Sequence, residues 1–359
     1  MLTKIYFCVT IHRMFRFNND YNQGAHSAVL NGLVKSNDES FPGYGVDEVC
    51  DAAAKAILKY TGGVNAQVHF LVGGTQTNAL VISMALRSIE SVLCAKTGHI
   101  AVHETGAIEK TGHKVETLPD VDGKITAEQI DAACTGCENS CTPDHITRPR
   151  MVYISQPTEL GTMYSKKELS EISKVCKKHN VYLYVDGARL AYSLGAVNND
   201  VTIADLAQLT DVFYIGGTKC GALFGEAVVV VNDELKPHFR SYVKQSGGLL
   251  AKGWLLGLQF LELFTNDLYL KIGKTAVEQA IRIKNAFESR GIKMAVDSPT
   301  NQQFVKLSKA QAEYLSKDFY FEREEVFSNG DIMVRFCTGW SSAEEGVAAL
   351  VKKIGEMPQ

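Results

Sequence analysis

Short apolar runs rich in β-branched residues alternate with helical patterns along most of this chain. The apolar runs predict strands at 67–72, 100–103, 114–118, 151–155, 181–186, 212–215 and 227–231. The patterns between them predict helices at 75–86, 105–111 and 165–178, whereas the polar stretch 134–149 predicts an irregular loop. Because strands and helices alternate, we expect an α/β fold with a mostly parallel sheet wrapped by helices.

The pattern changes after about residue 265. A long charged amphipathic helix is predicted at 267–290 and ends at Gly291. Strands at 303–307, 319–323 and 332–336 then interleave with helices at 308–316 and 341–355. We therefore expect a large domain over 14–266, with an N-terminal segment 14–45, and a smaller α+β domain over 267–359.

Residues 1–13 are interpreted as an extension outside the fold, with Met14 as an alternative start. The apolar run after Lys4 resembles a weak signal peptide, but it lacks a small-residue cleavage site and is followed at once by Arg13 and Arg16. The longest apolar stretch, 249–264, carries Lys252 and Glu262, which favours a core helix over a membrane span.

Composition narrows the classes of partner. The 359 residues are 45% hydrophobic and carry a formal net charge of −3, which offers no general attraction for nucleic acid or anionic lipid. Nine cysteines are spread along a long chain rather than packed into a short disulfide framework. We therefore expect a cytoplasmic protein that binds neither nucleic acid nor membranes.

Three segments place chemically active residues at the ends of predicted strands. Asp186 ends the run 181–186 and precedes Gly187 and Arg189; Lys219 follows the run 212–215 among small residues; Gly73-Gly74-Thr75 follows the run 67–72. Ligands bind at the carboxyl ends of strands in open parallel sheets. Each segment also has a simpler interpretation: Asp186 as a helix N-cap, Arg189 as a surface residue, and the glycines as a chance turn.

Together the three segments suit pyridoxal 5′-phosphate (PLP). A lysine flanked by small residues can act as an amine nucleophile, an aspartate can keep a pyridine nitrogen protonated, and a glycine turn opening a helix can hold a phosphate. The spacing around Lys219 does not fit a P-loop. An aromatic residue must also cover the ring, and His103 is the candidate, with a satisfied core histidine as the alternative.

The order of these motifs resembles the threonine aldolase/β-eliminating lyase family over about residues 16–355. The motifs that carry the resemblance are Asn19-Asp20, Tyr44-Gly45, Gly73-Gly74-Thr75, His103-Glu-Thr-Gly-Ala-Ile-Glu-Lys110, Val185-Asp-Gly-Ala-Arg189, Lys219 and Val334-Arg-Phe-Cys-Thr-Gly-Trp340. That family is PLP-dependent and has the aspartate aminotransferase fold, called fold type I. The resemblance therefore implies a PLP enzyme of this fold.

The resemblance also implies residue roles. Lys219 would bind the cofactor aldehyde covalently and Asp186 would pair with its pyridinium nitrogen. His103 would stack on the ring, and Gly74 and Thr75 would hold the phosphate. The remaining residues implied at the site, on the substrate side, are Asn19, Tyr44, Arg189 and Arg335, of which the two arginines would clamp the substrate carboxylate and Arg189 would also border the cofactor.

The activity implied is that of a low-specificity L-threonine aldolase, which cleaves L-threonine or L-allo-threonine to glycine and acetaldehyde, with His103 as the base. A β-eliminating amino-acid lyase and a non-catalytic binding protein on the same fold are the alternatives. The lysine context Gly-Thr-Lys-Cys-Gly and Leu250, where the family has an arginine, indicate a divergent branch. The resemblance further implies a homodimer or homotetramer in which Tyr44-Gly45 and 246–248 reach the neighbouring site.

Cysteines in the predicted loop raise a separate question. Cys134, Cys137, Cys141 and His145 fall within twelve residues and could be zinc ligands, but their spacing differs from common zinc motifs. Unpaired loop cysteines are the preferred interpretation, so we predict no metal.

Overall fold

The computed structural model describes residues 14–358. The predicted extension at 1–13 lies outside the described residues. The strands are β1 (Phe15–Arg16), β2 (Gln67–Leu71), β3 (Glu90–Ala95), β4 (Lys114–Leu118), β5 (Arg148–Ser155), β6 (Tyr182–Asp186), β7 (Val212–Gly216), β8 (Glu226–Val230), β9 (Gln302–Leu307), β10 (Phe319–Tyr320), β11 (Glu322–Val326) and β12 (Ile332–Cys337).

The helices alternate with the strands through the first two thirds of the chain. They are α1 (Ser27–Lys35), α2 (Glu48–Leu58), α3 (Gly74–Ala85), α4 (His99–Val102), α5 (Ala127–Glu138), α6 (Lys166–Lys178), α7 (Leu190–Leu194), α8 (Ile203–Leu209), α9 (Phe239–Gln245), α10 (Trp254–Phe264), α11 (Leu268–Ser289), α12 (Lys309–Leu315) and α13 (Glu344–Gly355).

A seven-stranded sheet lies at the centre, in the order β2-β8-β7-β6-β5-β3-β4. Strands β4, β3, β5, β6 and β7 pair in parallel, whereas β8 is antiparallel to both β7 and β2. Alternate residues of β6 contribute to two apolar clusters: Leu183 and Val185 belong to one, Tyr182 and Tyr184 to the other. This burial on both faces explains why the sequence of the strand is a continuous apolar run. The parallel pairing of five strands confirms the predicted α/β fold with a mostly parallel sheet.

The predicted strand at 100–103 is wrong. These residues lie in the short helix α4 and its C-cap, His103. The strand of this region is β3, whose residues from Ser91 to Ala95 are buried between β4 and β5. Of the apolar residues that suggested a strand, Ile100 is buried but Val102 is half-exposed. The helix predicted at 105–111 is reduced to one 3-10 turn at Glu109–Thr111.

The predicted irregular loop at 134–149 is also partly wrong. Helix α5 continues to Glu138, so Cys134 and Cys137 are helical. Thr126 begins this helix with a capping box, in which its side chain accepts a hydrogen bond from the Gln129 N–H and the Gln129 side chain accepts one from the Thr126 N–H. The residues that bury α5 are Ile130 and Cys134.

The C-terminal residues form a second, smaller assembly. Strands β11, β12 and β9 make an antiparallel sheet, with residues of α11 and α13 packed in its core. The predicted strand 319–323 is divided at Phe321, because β10 leaves this sheet and pairs in parallel with β1. Phe17 lies in the same apolar core, so the N-terminal residues pack here rather than on the central sheet. The division into domains at residue 266 stays a prediction.

Helix α11 ends as predicted, with Gly291 in the left-handed region at φ +72° just past its end. The apolar stretch that precedes it forms α10, whose residues Leu256, Phe260 and Leu263 are buried in the core. Within residues 14–358, no helix is both long and apolar enough to cross a membrane.

Candidate active site

Several of the predicted residues meet in one cavity at the carboxyl ends of β5, β6 and β7. Its volume is about 360 Å³, within the range of small-molecule sites. Asp186 is the last residue of β6, Lys219 follows β7 in a turn, and Gly74 and Thr75 begin α3. All four line this cavity. The structure therefore brings together the lysine, the carboxylate and the helix N-terminus that the sequence had indicated.

Asp186 is held by three hydrogen-bond donors. Tyr153 donates its hydroxyl to Oδ2 at 2.6 Å, Asn78 donates Nδ2 to the same oxygen at 3.2 Å, and the Ala188 N–H donates to Oδ1 at 2.9 Å. The residue is 4% exposed. Donors on both oxygens stabilise a buried carboxylate and fix its plane, so a negative charge is presented to the cavity at a defined position.

Lys219 lies in a mixed electrostatic environment. Burial lowers the pKa of its amine, and the Arg189 guanidinium lowers it further, whereas Asp20, Asp186 and Glu226 oppose the shift. A lysine with a lowered pKa carries more of the neutral amine that a carbonyl group requires. The environment of Lys219 therefore suits covalent chemistry with an aldehyde.

Glu226 is a second buried acid beside this lysine, and the sequence did not indicate it. Its carboxylate accepts hydrogen bonds from the Gly217 N–H at 3.0 Å and the Thr218 hydroxyl at 2.8 Å. Burial raises the pKa of Glu226 above the usual glutamate value, against the opposing influence of Thr218 and Lys219. Glu226 thus holds the backbone turn that carries the lysine.

The N-terminus of α3 supplies the anion-binding part of the cavity. Gly73 is the N-cap and has no side chain to occupy the first-turn N–H groups, so these groups are directed at the cavity that Gly73, Gly74 and Thr75 line. A Cβ atom at Gly74 would lie 3.2 Å from the Tyr214 hydroxyl, a crowded distance. Glycine at this position therefore accommodates the close approach of Tyr214 to the helix terminus.

Two histidines lie near the cavity in different positions. His99 lines the cavity together with Asp186 and Lys219, and its Nδ1 lies 2.7 Å from Glu104 Oε1. His103 does not line that cavity but an adjoining one of about 880 Å³. The two ring centroids are 5.5 Å apart. The strand predicted to place His103 over the ring is a helix, which brings His99 to the cavity instead.

The adjoining cavity contains Arg335. It is lined by Arg335, Arg189, Lys219 and His103 among others, so it shares Lys219 and Arg189 with the first. Arg335 Nη1 donates to Gln302 Oε1 and Nη2 donates to the Asn18 carbonyl oxygen, each at 3.3 Å. Its buried Nε forms an ion pair with Glu324 Oε1 at 3.2 Å but makes no hydrogen bond among the described residues. A guanidinium that lines a cavity and has long or unformed hydrogen bonds suits a carboxylate ligand.

Arg189 differs from Arg335 because its ion pair is bidentate and buried. Its Nε and Nη2 donate to the two carboxylate oxygens of Asp20 at 2.8 and 3.1 Å. Burial alone would raise the pKa of Asp20, but the charge of Arg189 and that of Lys219 outweigh it and the pKa lies below its usual value. Asn301 donates a further hydrogen bond to Asp20 at 2.9 Å. This pair ties the N-terminal segment to the end of β6.

Breaking this buried pair is expected to destabilise the fold. Asp20→Asn leaves the Arg189 charge buried without compensation, which costs about 3–5 kcal/mol in the free energy of unfolding. Glu344→Gln, which removes one partner of the exposed Arg282–Glu344 pair, should cost at most about 1 kcal/mol. Urea unfolding of both variants measures the difference, and similar losses in the two would contradict the assignment.

Asn19 and Tyr44 lie away from these two cavities. Asn19 is half-buried, and its Oδ1 accepts a hydrogen bond from the Tyr21 N–H at 3.1 Å. Tyr44 is exposed, with the Lys244 ammonium 4.5 Å from its ring centroid. Neither residue lines a cavity that contains Lys219. Their roles toward a substrate stay predictions, and that of Tyr44 depends on a neighbouring subunit.

A hydrogen-bond network around the cavity was not foreseen from sequence. Asn78 accepts from the Tyr184 hydroxyl at 2.7 Å and donates to Glu104 Oε1 at 2.7 Å as well as to Asp186. Glu104 in turn bonds His99, so one chain of contacts links the histidine to Asp186. Asn78 lies one helical turn after Gly74 in α3, so it is on the same face of the helix as the glycine turn. That spacing is the sequence signal by which Asn78 could have been predicted.

The residues present fit PLP. Within one cavity they supply an amine, a buried carboxylate held for an ionic partner, and a helix N-terminus free of side-chain caps. Lys219 would hold the aldehyde carbon, Asp186 the pyridine nitrogen, and Gly74 and Thr75 the phosphate.

The cysteine cluster does not converge. Cys134 is buried in α5, Cys137 is half-buried, and Cys141 is exposed. Over residues 14–358, no group of three or more histidine, cysteine, aspartate or glutamate residues is arranged to hold a metal ion. The two cysteines of α5 therefore serve packing in this structure.

Comparisons with known proteins agree with this geometry. A family model described as Beta-eliminating lyase matches residues 34–315. A low specificity L-threonine aldolase of Pseudomonas sp. (strain NCIMB 10558) is 28% identical over 94% of this chain and 96% of its own length. The structure of Leishmania major threonine aldolase superposes with a TM-score of 0.92 at 43% identity, covering 95% of this chain and 99% of that one.

The fold extends to more distant enzymes. A double mutant of Thermus thermophilus aspartate aminotransferase superposes with a TM-score of 0.70 at 13% identity, over 96% of this chain and 91% of that one, which shows fold type I alone. The fold and the cofactor implied by the motifs are thereby confirmed. The chain belongs to the β-eliminating lyase family and is a PLP-dependent lyase of fold type I.

Proposed function

We propose that this protein is a low-specificity L-threonine aldolase that cleaves L-threonine and L-allo-threonine to glycine and acetaldehyde. The observation that carries the proposal is the convergence of Lys219, Asp186 and Arg335 on two adjoining cavities. The first cavity fits the cofactor and the second leaves room for an amino acid whose carboxylate meets Arg335. Similarity to threonine aldolases over nearly the whole chain supports the same substrate class.

The residues of the first cavity have separate roles toward the cofactor. Bound PLP supplies an electron-accepting ring for the pair left on Cα when the Cα–Cβ bond breaks. Asp186, held by Tyr153 and Asn78, keeps a proton on the pyridine nitrogen. Lys219 would hold the aldehyde carbon of PLP when no substrate is bound, and its amine would exchange with that of the substrate. The α3 N-terminus would hold the phosphate.

We assign the ring-covering role to His99 rather than His103. His99 lines the cofactor cavity, and the 2.7 Å contact of Nδ1 with Glu104 Oε1 fixes the orientation of its imidazole. Glu104 is itself held by Asn78. An imidazole fixed by two successive hydrogen bonds would pack against the cofactor ring in one orientation.

Arg335 is expected to set the affinity for the amino-acid carboxylate. Arg335→Lys keeps the charge but loses the planar fork, so we expect KM for L-threonine to rise about 10- to 100-fold, equivalent to about 1.5–3 kcal/mol. Arg323→Lys, the same change on the exposed neighbouring strand, is the control. Steady-state kinetics measure both, and an unchanged KM in Arg335→Lys would remove this residue from the substrate site.

The reaction type is tested by product analysis. The purified holoenzyme is incubated with L-threonine, L-allo-threonine, L-serine and L-cysteine. Acetaldehyde and glycine from the first two support aldol cleavage, whereas ammonia with a keto acid would support β-elimination on the same scaffold. If none of the four amino acids is converted, the aldolase proposal is wrong.

Assembly and location are further parts of the proposal. We propose a homodimer or homotetramer in the cytoplasm. Exposed apolar side chains at Val34, Val46, Leu223 and Phe224 support an interface between subunits, and Phe224 also lines the cofactor cavity. The free thiols of the eight described cysteines agree with a reducing compartment.

A further inference from the structure

The two cavities share a small set of residues at their junction. The side chains that line both are Tyr21, His99, Glu159, Arg189 and Lys219. Cofactor-binding groups lie on one side of the junction and Arg335 on the other. If the proposed function holds, the substrate Cα and Cβ are therefore placed here, and the proton of the β-hydroxyl must pass to one of these groups.

Four of the five either have another assigned role or, like the Tyr21 phenol, accept a proton only after they are ionised. Lys219 exchanges the cofactor, Arg189 is a permanently charged guanidinium paired with Asp20, and Tyr21 is a phenol that is 53% exposed. His99 has Nδ1 engaged by Glu104, and in its assigned place it turns a ring face toward the cofactor. Glu159 remains, and nothing assigned so far uses its carboxylate.

The backbone and neighbouring side chains fix Glu159. Its Oε1 accepts hydrogen bonds from the Ser155 hydroxyl at 2.7 Å and from the His99 N–H at 2.9 Å. Its carbonyl oxygen accepts from Gln302 Nε2 at 3.2 Å. Because both carboxylate contacts with neighbouring residues use Oε1, the carboxylate is anchored by one oxygen and can offer the other, Oε2, to a ligand in the cavity.

The electrostatic surroundings favour a proton acceptor over a passive anion. Burial raises the pKa of Glu159 above the usual glutamate value, and the charge of Asp186 raises it further, whereas the hydrogen bond from Ser155 lowers it. A base is most effective when its pKa approaches the working pH, which a fully solvated carboxylate does not achieve.

We propose that Glu159 is the catalytic base that accepts the β-hydroxyl proton of the substrate. The hydroxyl proton moves to Oε2, the oxygen left on Cβ forms the aldehyde C=O bond, and the Cα–Cβ bond breaks. The electron pair of that bond passes to Cα, where bound PLP would supply the electron sink, and a proton added at Cα then gives glycine. No oxidant or reductant is needed. This inference rests on the proposed aldolase function.

The test compares two glutamate-to-glutamine variants. In Glu159→Gln the amide keeps the shape but cannot take the proton, so we expect kcat for L-threonine to fall about 10²- to 10⁴-fold. The matched control is Glu109→Gln, the same change at an exposed position outside both cavities, which should stay within twofold of the unchanged protein. Glu159→Asp should recover part of the loss, because it restores a carboxylate.

A second measurement does not depend on turnover. Dissociation constants for glycine, L-serine and L-alanine are taken from absorbance changes of the bound cofactor. Because Glu159 would meet a β-hydroxyl, we expect L-serine to lose affinity relative to L-alanine in Glu159→Gln, while the glycine and PLP affinities and the melting temperature stay unchanged.

The outcomes separate the inference from the proposed function. Glu159→Gln that cleaves L-threonine at more than half the normal rate would overturn the role of Glu159. So would an equal loss of affinity for glycine, L-serine and L-alanine, which would indicate support of the cavity rather than contact with the hydroxyl. If the unchanged protein cleaves no β-hydroxy amino acid, the aldolase proposal fails. In that case the ratio of the dissociation constants for L-serine and L-alanine still shows whether Glu159 contacts a β-hydroxyl.

Discussion

Lys219→Ala is expected to abolish covalent binding of PLP and to lower turnover on the order of 10⁴-fold or more. The physical reason is that Lys219 is the amine of the cofactor cavity, where burial and Arg189 lower its pKa. Alanine leaves no nucleophile, so cofactor and substrate must exchange without an internal amine. The measurement is loss of visible absorbance and of borohydride-trapped cofactor, together with kcat.

A matched control distinguishes this result from general damage. Lys274→Ala removes an exposed lysine of α11 whose side chain is 72% exposed, so it should leave absorbance and turnover unchanged. The melting temperature of apo Lys219→Ala should stay near that of the unchanged apo protein, because removing a buried amine relieves desolvation. Retention of trapped cofactor in Lys219→Ala would place the covalent site at another residue.

The ends of the central strands could be predicted from sequence because a fully buried strand has a continuous apolar sequence. The strands β6 and β7 are buried along their whole length and appear as continuous apolar runs. Once such a run is recognised, the residues that follow it are placed at the edge of the sheet, which is how Asp186 and Lys219 were found. The turn at Gly73 and Gly74 was found in the same way.

Where short apolar runs compete, the pattern fails. The run at 100–103 contains three apolar residues, but β3 at Glu90–Ala95 pairs with both β4 and β5 and takes the place in the sheet. Sequence alone does not reveal which run the sheet accepts, because pairing depends on partners distant along the chain. The prediction that His103 covers the ring depended on that strand.

Buried polar groups were the other residues missed. Glu226 is the first residue of a strand otherwise made of alanine and valines, and Glu159 lies just beyond the end of β5. A lone glutamate next to an apolar run normally indicates the exposed end of a strand. Its burial depends on donors supplied by other segments, such as Thr218 for Glu226 and Ser155 for Glu159.

Asp186→Asn is also expected to lower turnover strongly. The change removes a buried negative charge that accepts hydrogen bonds from Tyr153, Asn78 and Ala188. Without the charge, a pyridine nitrogen in the cavity loses the partner that keeps it protonated, and the ring becomes a weaker electron acceptor. We expect kcat to fall about 10²- to 10³-fold, the magnitude typical of one preorganised electrostatic contact.

Tyr153→Phe is the matched comparison because it alters the same contact without removing the charge. The phenylalanine deletes the 2.6 Å donor to Oδ2, but Asn78 and Ala188 still hold the carboxylate, so the loss in kcat should be at least tenfold smaller than in Asp186→Asn. Kinetics at saturating PLP separate this effect from weaker cofactor binding. If the two variants lose equal activity, the hydrogen bond from Tyr153 matters as much as the charge of Asp186, and the assignment of the effect to the charge alone would be wrong.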